Sequence, residues 1–384
     1  MNRRDFLTGG AALLGLGASS TPLGSVFQKT SKDPQGLLED LMLHHFSGLE
    51  TPGLWCAIYI QGHLVAAHAM GYKNAAEKTP AKLSDRVVYG SISKGFAGTV
   101  LGAVIQSRAL SYSDTLSQVF PGLGESGIGR ANVAQFMVHH SGLANLFPQM
   151  KSDPGGSDEF FSQFLSEAIQ SKPVSDPGER FSYGPGADIV AAMISKRTGQ
   201  SFPTIMRTAL LEPAGLTTVG LGWGNVDTFG HVPKGGTYEI SKTAHFSANY
   251  CASGGVMGSI LDLAKFGSVH AESRLKGLRS ISMDTFRTMH RHIEQITNEN
   301  SALRGATTLC GLGGWPDGNL IHDGMWYRGD YALLVCSPRR RTSVALYRNS
   351  HRESGKADFG SLLEDLETAI PILSYKYDGP GIVR

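Results

Sequence analysis

Segments of β character stand at the two ends of this chain and helical ones fill its middle. That order constrains the fold more than any other feature of the sequence. After residue 50, "GLWCAIYIQGHLVAAHAMGY" gives two β-rich runs joined at Gln61-Gly62, a hairpin signal. Comparable runs return only late, as "TTLCGLGGW", "NLIHDGMWY", "YALLVCSP" and "RTSVALYRN", the last pair turning at Arg339-Arg340. Between them "SISKGFAGTVLGAVIQSRAL" reads as a largely buried helix. Helical segments and Gly/Pro loops follow to about residue 250, then a further helix, "SILDLAKFGSVH". The expected fold is α+β: one antiparallel sheet drawn from both ends and flanked by helices, with an inserted helical lobe. The domain should run over 35–375, with 35–90 and 251–375 in the sheet lobe and 91–250 mainly helical. A ligand cleft is expected between lobes. Amphipathic helices open and close the domain, "PQGLLEDLMLHHFSGLE" and "GSLLEDLETAIPIL", and Pro371 should end or kink the second.

With 384 residues, of which 41% are hydrophobic, the chain can bury a substantial core. Its 35 basic and 33 acidic residues leave a formal charge of +2, which gives no reason to expect a nucleic-acid partner. The opening "MNRRDFLTGGAALLGLGASS" sets Arg3-Arg4 and Phe6-Leu7 before a short apolar run that ends in small residues. This reads as an export signal of twin-arginine type over residues 1–28, cleaved near 18 to 28, so a periplasmic or otherwise exported protein is expected. The run is too short and glycine-rich to span a membrane comfortably, so no stable membrane anchor is expected after its removal. Cys56, Cys251, Cys310 and Cys336 match no zinc spacing; they permit disulfides without requiring them.

The candidate chemistry begins in "VYGSISKGF", where Ser91 and Lys94 stand three apart as an extended segment gives way to a helix. Residues at that spacing share a helix face. A serine hydroxyl needs a neighbour to take its proton, and a lysine does so only when desolvated and neutral. The positive end of the helix dipole favours that neutral form. Serine is also an ordinary helix cap, and Ser273 and Lys276 repeat the spacing in a charged stretch, so the pair alone is a weak signal.

Its companions strengthen it. From Gly53 to Asn349 the chain resembles the serine β-lactamase and penicillin-binding-protein superfamily, in the branch of class C β-lactamases, D-aminopeptidases and family VIII esterases. The likeness rests on the hairpin, "YGSISKGF", "FMVHHSGLANL", "PGERFSYGPGADIVAAMISKRTGQSF", "ASGGVMGSILDLAKFG", "LIHDG" and "VALYRNS", in that order. The resemblance implies a β-lactamase/transpeptidase-like fold and a serine hydrolase forming an acyl-enzyme on Ser91, without metal or organic cofactor. It implies Lys94 as the partner of the nucleophile and Tyr183 as the proton shuttle. A phenol serves as a base there only if a cation depresses its pKa. His322, Asp323 and Gly324 would line the substrate, the glycine allowing close approach to the strand. The backbone N–H groups of Ser91 and Met325 would form the oxyanion hole.

Two positions depart from the pattern. The tyrosine motif, usually Tyr-x-Asn, is Tyr183-Gly184-Pro185, and proline has no side-chain donor or acceptor. Asp323 stands where penicillin-recognising members carry threonine or serine, and its charge would repel a substrate carboxylate. Both changes point to a small ester, amide or peptide substrate rather than efficient β-lactam hydrolysis, and Asp323 could accept a substrate ammonium. The alternatives are a β-lactamase or D-alanyl-D-alanine carboxypeptidase, or a non-catalytic homologue that binds cell-wall fragments. An α/β-hydrolase is disfavoured because no G-x-S-x-G elbow surrounds a plausible nucleophile. His139-His140 reads as part of a structural turn. His290 and His292, on opposite sides of an expected helix, do not suggest a metal site. "GLGGWPDG" lacks the lysine of a phosphate loop. The Lys-x-Gly of "VPKGG" lies in a loop-like stretch, so His322 is preferred.

Overall fold

The computed structural model describes residues 33–46, 51–123, 127–144, 166–168, 170–222, 226–234, 237–241, 252–272, 281–295, 306–315, 317–325, 329–350 and 359–375. Residues 1–28, expected to be an export signal, Cys251 and the Ser273/Lys276 pair lie outside these residues. The chain divides into two compact units, residues 1–50 with 354–384, and residues 51–353.

In the first unit helix α1 (Pro34–Phe46) pairs with the C-terminal helix Gly360–Tyr375, and His45 Nε2 meets Asp365 Oδ2 at 2.7 Å. The C-terminal helix runs on past Pro371 to Tyr375 instead of ending there.

The second unit is built on an antiparallel sheet that both ends of the sequence supply. Its N-terminal strands are β1 (Gly53–Ile60), β2 (His63–Asn74) and β3 (Thr79–Pro80). A smaller sheet follows from β4 (Arg86–Val88), β5 (Gly220–Leu221) and β8 (Val256–Ser259), and a separate hairpin from β6 (His231–Lys234) and β7 (Thr237–Ile240). The late strands are β9 (His292–Gln295), β10 (Ala306–Thr308), β11 (Gly313–Gly314), β12 (Leu320–Met325), β13 (Tyr331–Ser337) and β14 (Thr342–Arg348). Among the described residues the large sheet has nine strands in the order β3-β2-β1-β14-β13-β12-β11-β10-β9. Its closure is the pairing of β1 with β14, from Leu54 opposite Arg348 to Ile60 opposite Thr342. Gln61 and Gly62, with φ of 50° and 78°, make the tight turn expected of the first hairpin.

Three sequence expectations change here. "TTLCGLGGW" is not one strand: β10 and β11 are separated by a turn that presses Cys310 and Gly311 into the core. "VPKGG" lies partly in the β6–β7 hairpin rather than in a loop. His290 and His292 do not share a helix, because the helix Met283–Met289 ends before the first and the second lies in β9.

The long helix of the "SISK" segment is α2 (Ser93–Gln106), entered through a 3-10 turn over Gly90–Ile92. Three of its glycines are contact points: a β-carbon on Gly95 would fall 2.6 Å from Leu312, on Gly98 2.3 Å from Cys310 O, and on Gly102 2.3 Å from Met289 Sδ. Hydrogen at Gly95 and Gly98 lets the turn after β10 pack against the helix backbone, and at Gly102 it admits the Met289 side chain. Helix α3 (Gly186–Thr198) packs on α2, and α4 (Ile260–Glu272) lies across β1, β13 and β14. Phe96 of α2 stacks on Phe266 of α4 at 3.7 Å, joining helices and sheet in one core. Met283–Met289 is α5, and the C-terminal helix is α6.

Candidate active site

Ser91 sits in the 3-10 turn, and the turn is tied on both sides to one strand. Tyr89 N–H donates to Val256 O at 3.0 Å, and Val256 N–H donates to Ser93 Oγ at 3.0 Å. Ser93 Oγ in turn donates to Gly90 O at 2.5 Å. This fixes the chain just before β8 over the first turn of α2. Lys94, 1% exposed, there donates from Nζ to Ser253 O at 2.8 Å and to Ser91 Oγ at 3.2 Å.

Burial dominates the electrostatics of Lys94. Loss of water pushes its pKa well below the ordinary lysine range, while the nearby Asp188 carboxyl pulls it back up. Asp188 is fully buried in the first turn of α3, and burial raises its pKa against the opposing pull of Ser253 and Lys94. Ser253 N–H lies 3.4 Å from Asp188 Oδ1, so residue 253 contacts the carboxyl with its amide and Lys94 Nζ with its carbonyl. Sequence reasoning passed over Asp188. The signal was available as an acidic residue inside the otherwise apolar run "GADIVAAMI", where burial without a partner is costly.

Tyr183 enters from the loop before α3. Its phenol is near enough to Ser91 for that residue to pull its pKa down, and Lys94 Nζ stands 4.7 Å from its ring centre. The "HHSGL" turn holds this loop: Ser182 N–H donates to His139 O at 2.8 Å, and Gly184 N–H to His139 Nδ1 at 3.3 Å. The His139 ring lies 4.5 Å from that of Tyr183. His139 adopts φ of 61°, the left-handed conformation that turns the chain back on itself. The phenol departs from what the lysine alone would suggest. Burial, with a smaller contribution from Asp323, holds its pKa above the ordinary range against the opposing pull of Ser91. The resting phenol is therefore protonated, and the amine is the better proton acceptor.

Strand β12 brings the remaining residues. His322 is buried and does not face solvent. Its Nδ1 meets Asp323 O at 2.5 Å, and since a carbonyl only accepts, Nδ1 carries the hydrogen. Burial first, and Lys94 second, lower its pKa to about 3, so the ring is neutral with its Nε2 lone pair unmet. Asp323 is also buried, and Tyr331 Oη donates to its Oδ2 at 3.2 Å. Gly324 is explained by the protein's own backbone: a β-carbon there would fall 2.0 Å from Tyr89 O and 3.1 Å from Gly90 Cα. That contact brings the end of β12, with the backbone of Met325, beside the Ser91 turn.

Cys56, Cys310 and Cys336 are free and buried, and burial raises the pKa of each thiol, that of Cys310 to about 11.

Ser91 and the buried Lys94 thus meet beside β12, in a sheet that both ends of the sequence supply. Residues 41–366 match the family described as Beta-lactamase, and the chain belongs to that family. Penicillin-binding protein 4* of Bacillus subtilis (strain 168) is 25% identical over 161 residues, which span 40% of this chain and 35% of that protein. In fold the chain is similar to the D-amino acid amidase of Ochrobactrum anthropi SV3 complexed with L-phenylalanine amide. That match has a TM-score of 0.73 and 16% identity, covering 89% of this chain and 99% of that one. It is also similar to EstCE1, a hydrolase with promiscuous acyltransferase activity, with a TM-score of 0.71, 15% identity, and coverage of 87% and 97%.

Proposed function

We propose that this protein is an exported hydrolase of small esters or amides, working through an acyl-enzyme on Ser91. The observation that carries this reading is the 3.2 Å contact of Ser91 Oγ with the amine of Lys94, whose burial lowers its pKa and so favours the neutral form. In the proposed sequence Lys94 takes the Ser91 proton as Oγ bonds to the substrate carbonyl carbon. The oxyanion is met by the backbone N–H groups of Ser91 and Met325. As the tetrahedral adduct collapses, Tyr183 gives its phenolic proton to the leaving alcohol or amine and is reprotonated from Lys94. Water then attacks the acyl-enzyme along the reverse proton path.

The substrate side of the proposal rests on β12. His322 offers an acceptor nitrogen and Asp323 a buried carboxyl group, and Asp323 takes the position where the family's penicillin-recognising members carry a threonine or serine that holds the substrate carboxylate. An aminoacyl ester or amide fits this chemistry better than a β-lactam. The twin-arginine-type leader supports delivery in folded form to an exported location.

A fluorophosphonate probe tests the central step. Covalent labelling of the wild type and none of Ser91→Ala is expected. An unlabelled wild type, or an equally labelled Ser91→Ala, would instead favour a binding protein that keeps the fold. Side-by-side rates on p-nitrophenyl esters, D-amino acid amides and nitrocefin test the substrate class, with nitrocefin expected to be the slowest.

A further inference from the structure

We propose that His270, His290 and Cys310 form a site for a single zinc ion, in a part of the molecule that the hydrolytic chemistry does not use. The three side chains come from separate elements, α4, the end of α5, and the turn after β10. His270 Nδ1, His290 Nε2 and Cys310 Sγ nevertheless all lie within 4.8 Å of one another. Two contacts hold the convergence in place. Cys310 N–H donates to Met289 O at 3.0 Å, which sets the cysteine beside His290. The close approach of Cys310 O to Gly98 fixes the turn against α2.

The hydrogen-bond pattern prepares the first ligand. Thr99 donates its hydroxyl proton to Gly95 O at 2.7 Å, so at the 3.0 Å contact with His270 Nε2 the threonine must accept. His270 thus carries hydrogen on Nε2 and presents the Nδ1 lone pair to His290 and Cys310. A ligating imidazole held by a hydrogen bond at its other nitrogen is the usual outer-shell arrangement of a metal site. Burial keeps both imidazoles neutral at physiological pH, the form that ligates.

Without an ion, His290 Nε2–H donates to His270 Nδ1 across 2.9 Å. With one, His290 shifts its hydrogen to Nδ1, both lone pairs turn to the metal, and the thiol proton of Cys310 is released to solvent. Two nitrogens and a thiolate suit Zn2+, with a fourth position left for water. The route in is a surface recess of about 530 Å3, with half-buried His290 on its wall beside Arg287, Thr288, Arg291 and His292. None of the residues around Ser91 lines it.

Co2+ titrated into chelator-treated full-length protein reads the site without relying on activity. The expected result is one equivalent bound, with a thiolate-to-cobalt charge-transfer band that Zn2+ bleaches. Cys310→Ser should lose the band, and His290→Gln, at the edge of the recess, should weaken Co2+ binding at least about tenfold. Zn2+ should raise the Tm of the wild type by about 2 °C or more, as a ligand of the folded state does, and should not raise that of His290→Gln. If Cys310→Ser fails to fold, His290→Gln decides. A wild type with no charge-transfer band, a band that persists in Cys310→Ser, or unchanged affinity in His290→Gln would overturn the proposal.

Discussion

Gly324 and Tyr89 meet backbone to backbone, so closely that a β-carbon at position 324 would stand 2.0 Å from the Tyr89 carbonyl oxygen. The strand that ends in Met325 and the turn that carries Ser91 are therefore in register only because residue 324 has no side chain. Gly324→Ala must push the two apart. Overpacking of this kind destabilises by about 1–3 kcal/mol, and sub-ångström displacement of oxyanion donors has a large effect on rate. Thermal unfolding should show a lowered Tm, and ester hydrolysis should fall by more than about tenfold. An alanine variant with wild-type kcat/KM would show that this contact does not position the site.

The depressed pKa of Lys94 gives the pH dependence its sign. In the proposed mechanism the neutral amine is the active form, so kcat/KM should rise with pH through the Lys94 titration and level off well below the ordinary lysine range. Asp188 opposes this by favouring the charged form. Asp188→Asn removes the negative charge, makes the ammonium less favourable, and should move the acidic limb to lower pH. A limb that moves upward, or not at all, would contradict the electrostatic coupling of the two residues.

Tyr183 and Lys94 can be separated by the same measurement. Burial keeps the phenol protonated, so the visible titration belongs to the amine. Tyr183→Phe should lower kcat by about 10²–10⁴-fold, the usual range for a lost proton-transfer group, yet leave the position of the acidic limb unchanged. Loss of the limb in Tyr183→Phe would instead make the phenol the titrating base.

Strands β1, β2, β12, β13 and β14 were legible from the sequence because they are long and because Gln61-Gly62 marks a tight turn, whereas the short β3 and β9 were not, and β10 and β11 read as one run. The Ser91–Lys94 contact was legible too, since helical spacing puts the residues on one face. Other features depend on tertiary distance, which spacing does not encode. Nothing local says that Gly324 packs on Tyr89, so the glycine reads as room for substrate when its first neighbour is the protein's own backbone. Charge pairing alone suggests that Lys94 lowers the phenol's pKa, but desolvation dominates and raises it. His290 looked isolated because helical periodicity was extended past Met289, where the helix ends. Its neighbours His270 and Cys310 are close only in space.

Substrate charge is the last point the site decides. Asp323 is buried, near enough to Tyr183 to raise the phenol's pKa, and held by Tyr331 Oη at 3.2 Å. A carboxylate so placed can accept from a substrate ammonium, and a hydrogen bond to a charged group contributes about 1.5–3 kcal/mol. The wild type should then favour aminoacyl esters over their N-acetylated counterparts by about tenfold or more in kcat/KM. Asp323→Asn keeps the shape and removes the charge, so it should erase most of that preference while the N-acetylated substrate is turned over at close to the original rate. Equal wild-type rates on the two substrates would rule out Asp323 as the ammonium acceptor, and an undiminished preference in Asp323→Asn would assign the discrimination to another group.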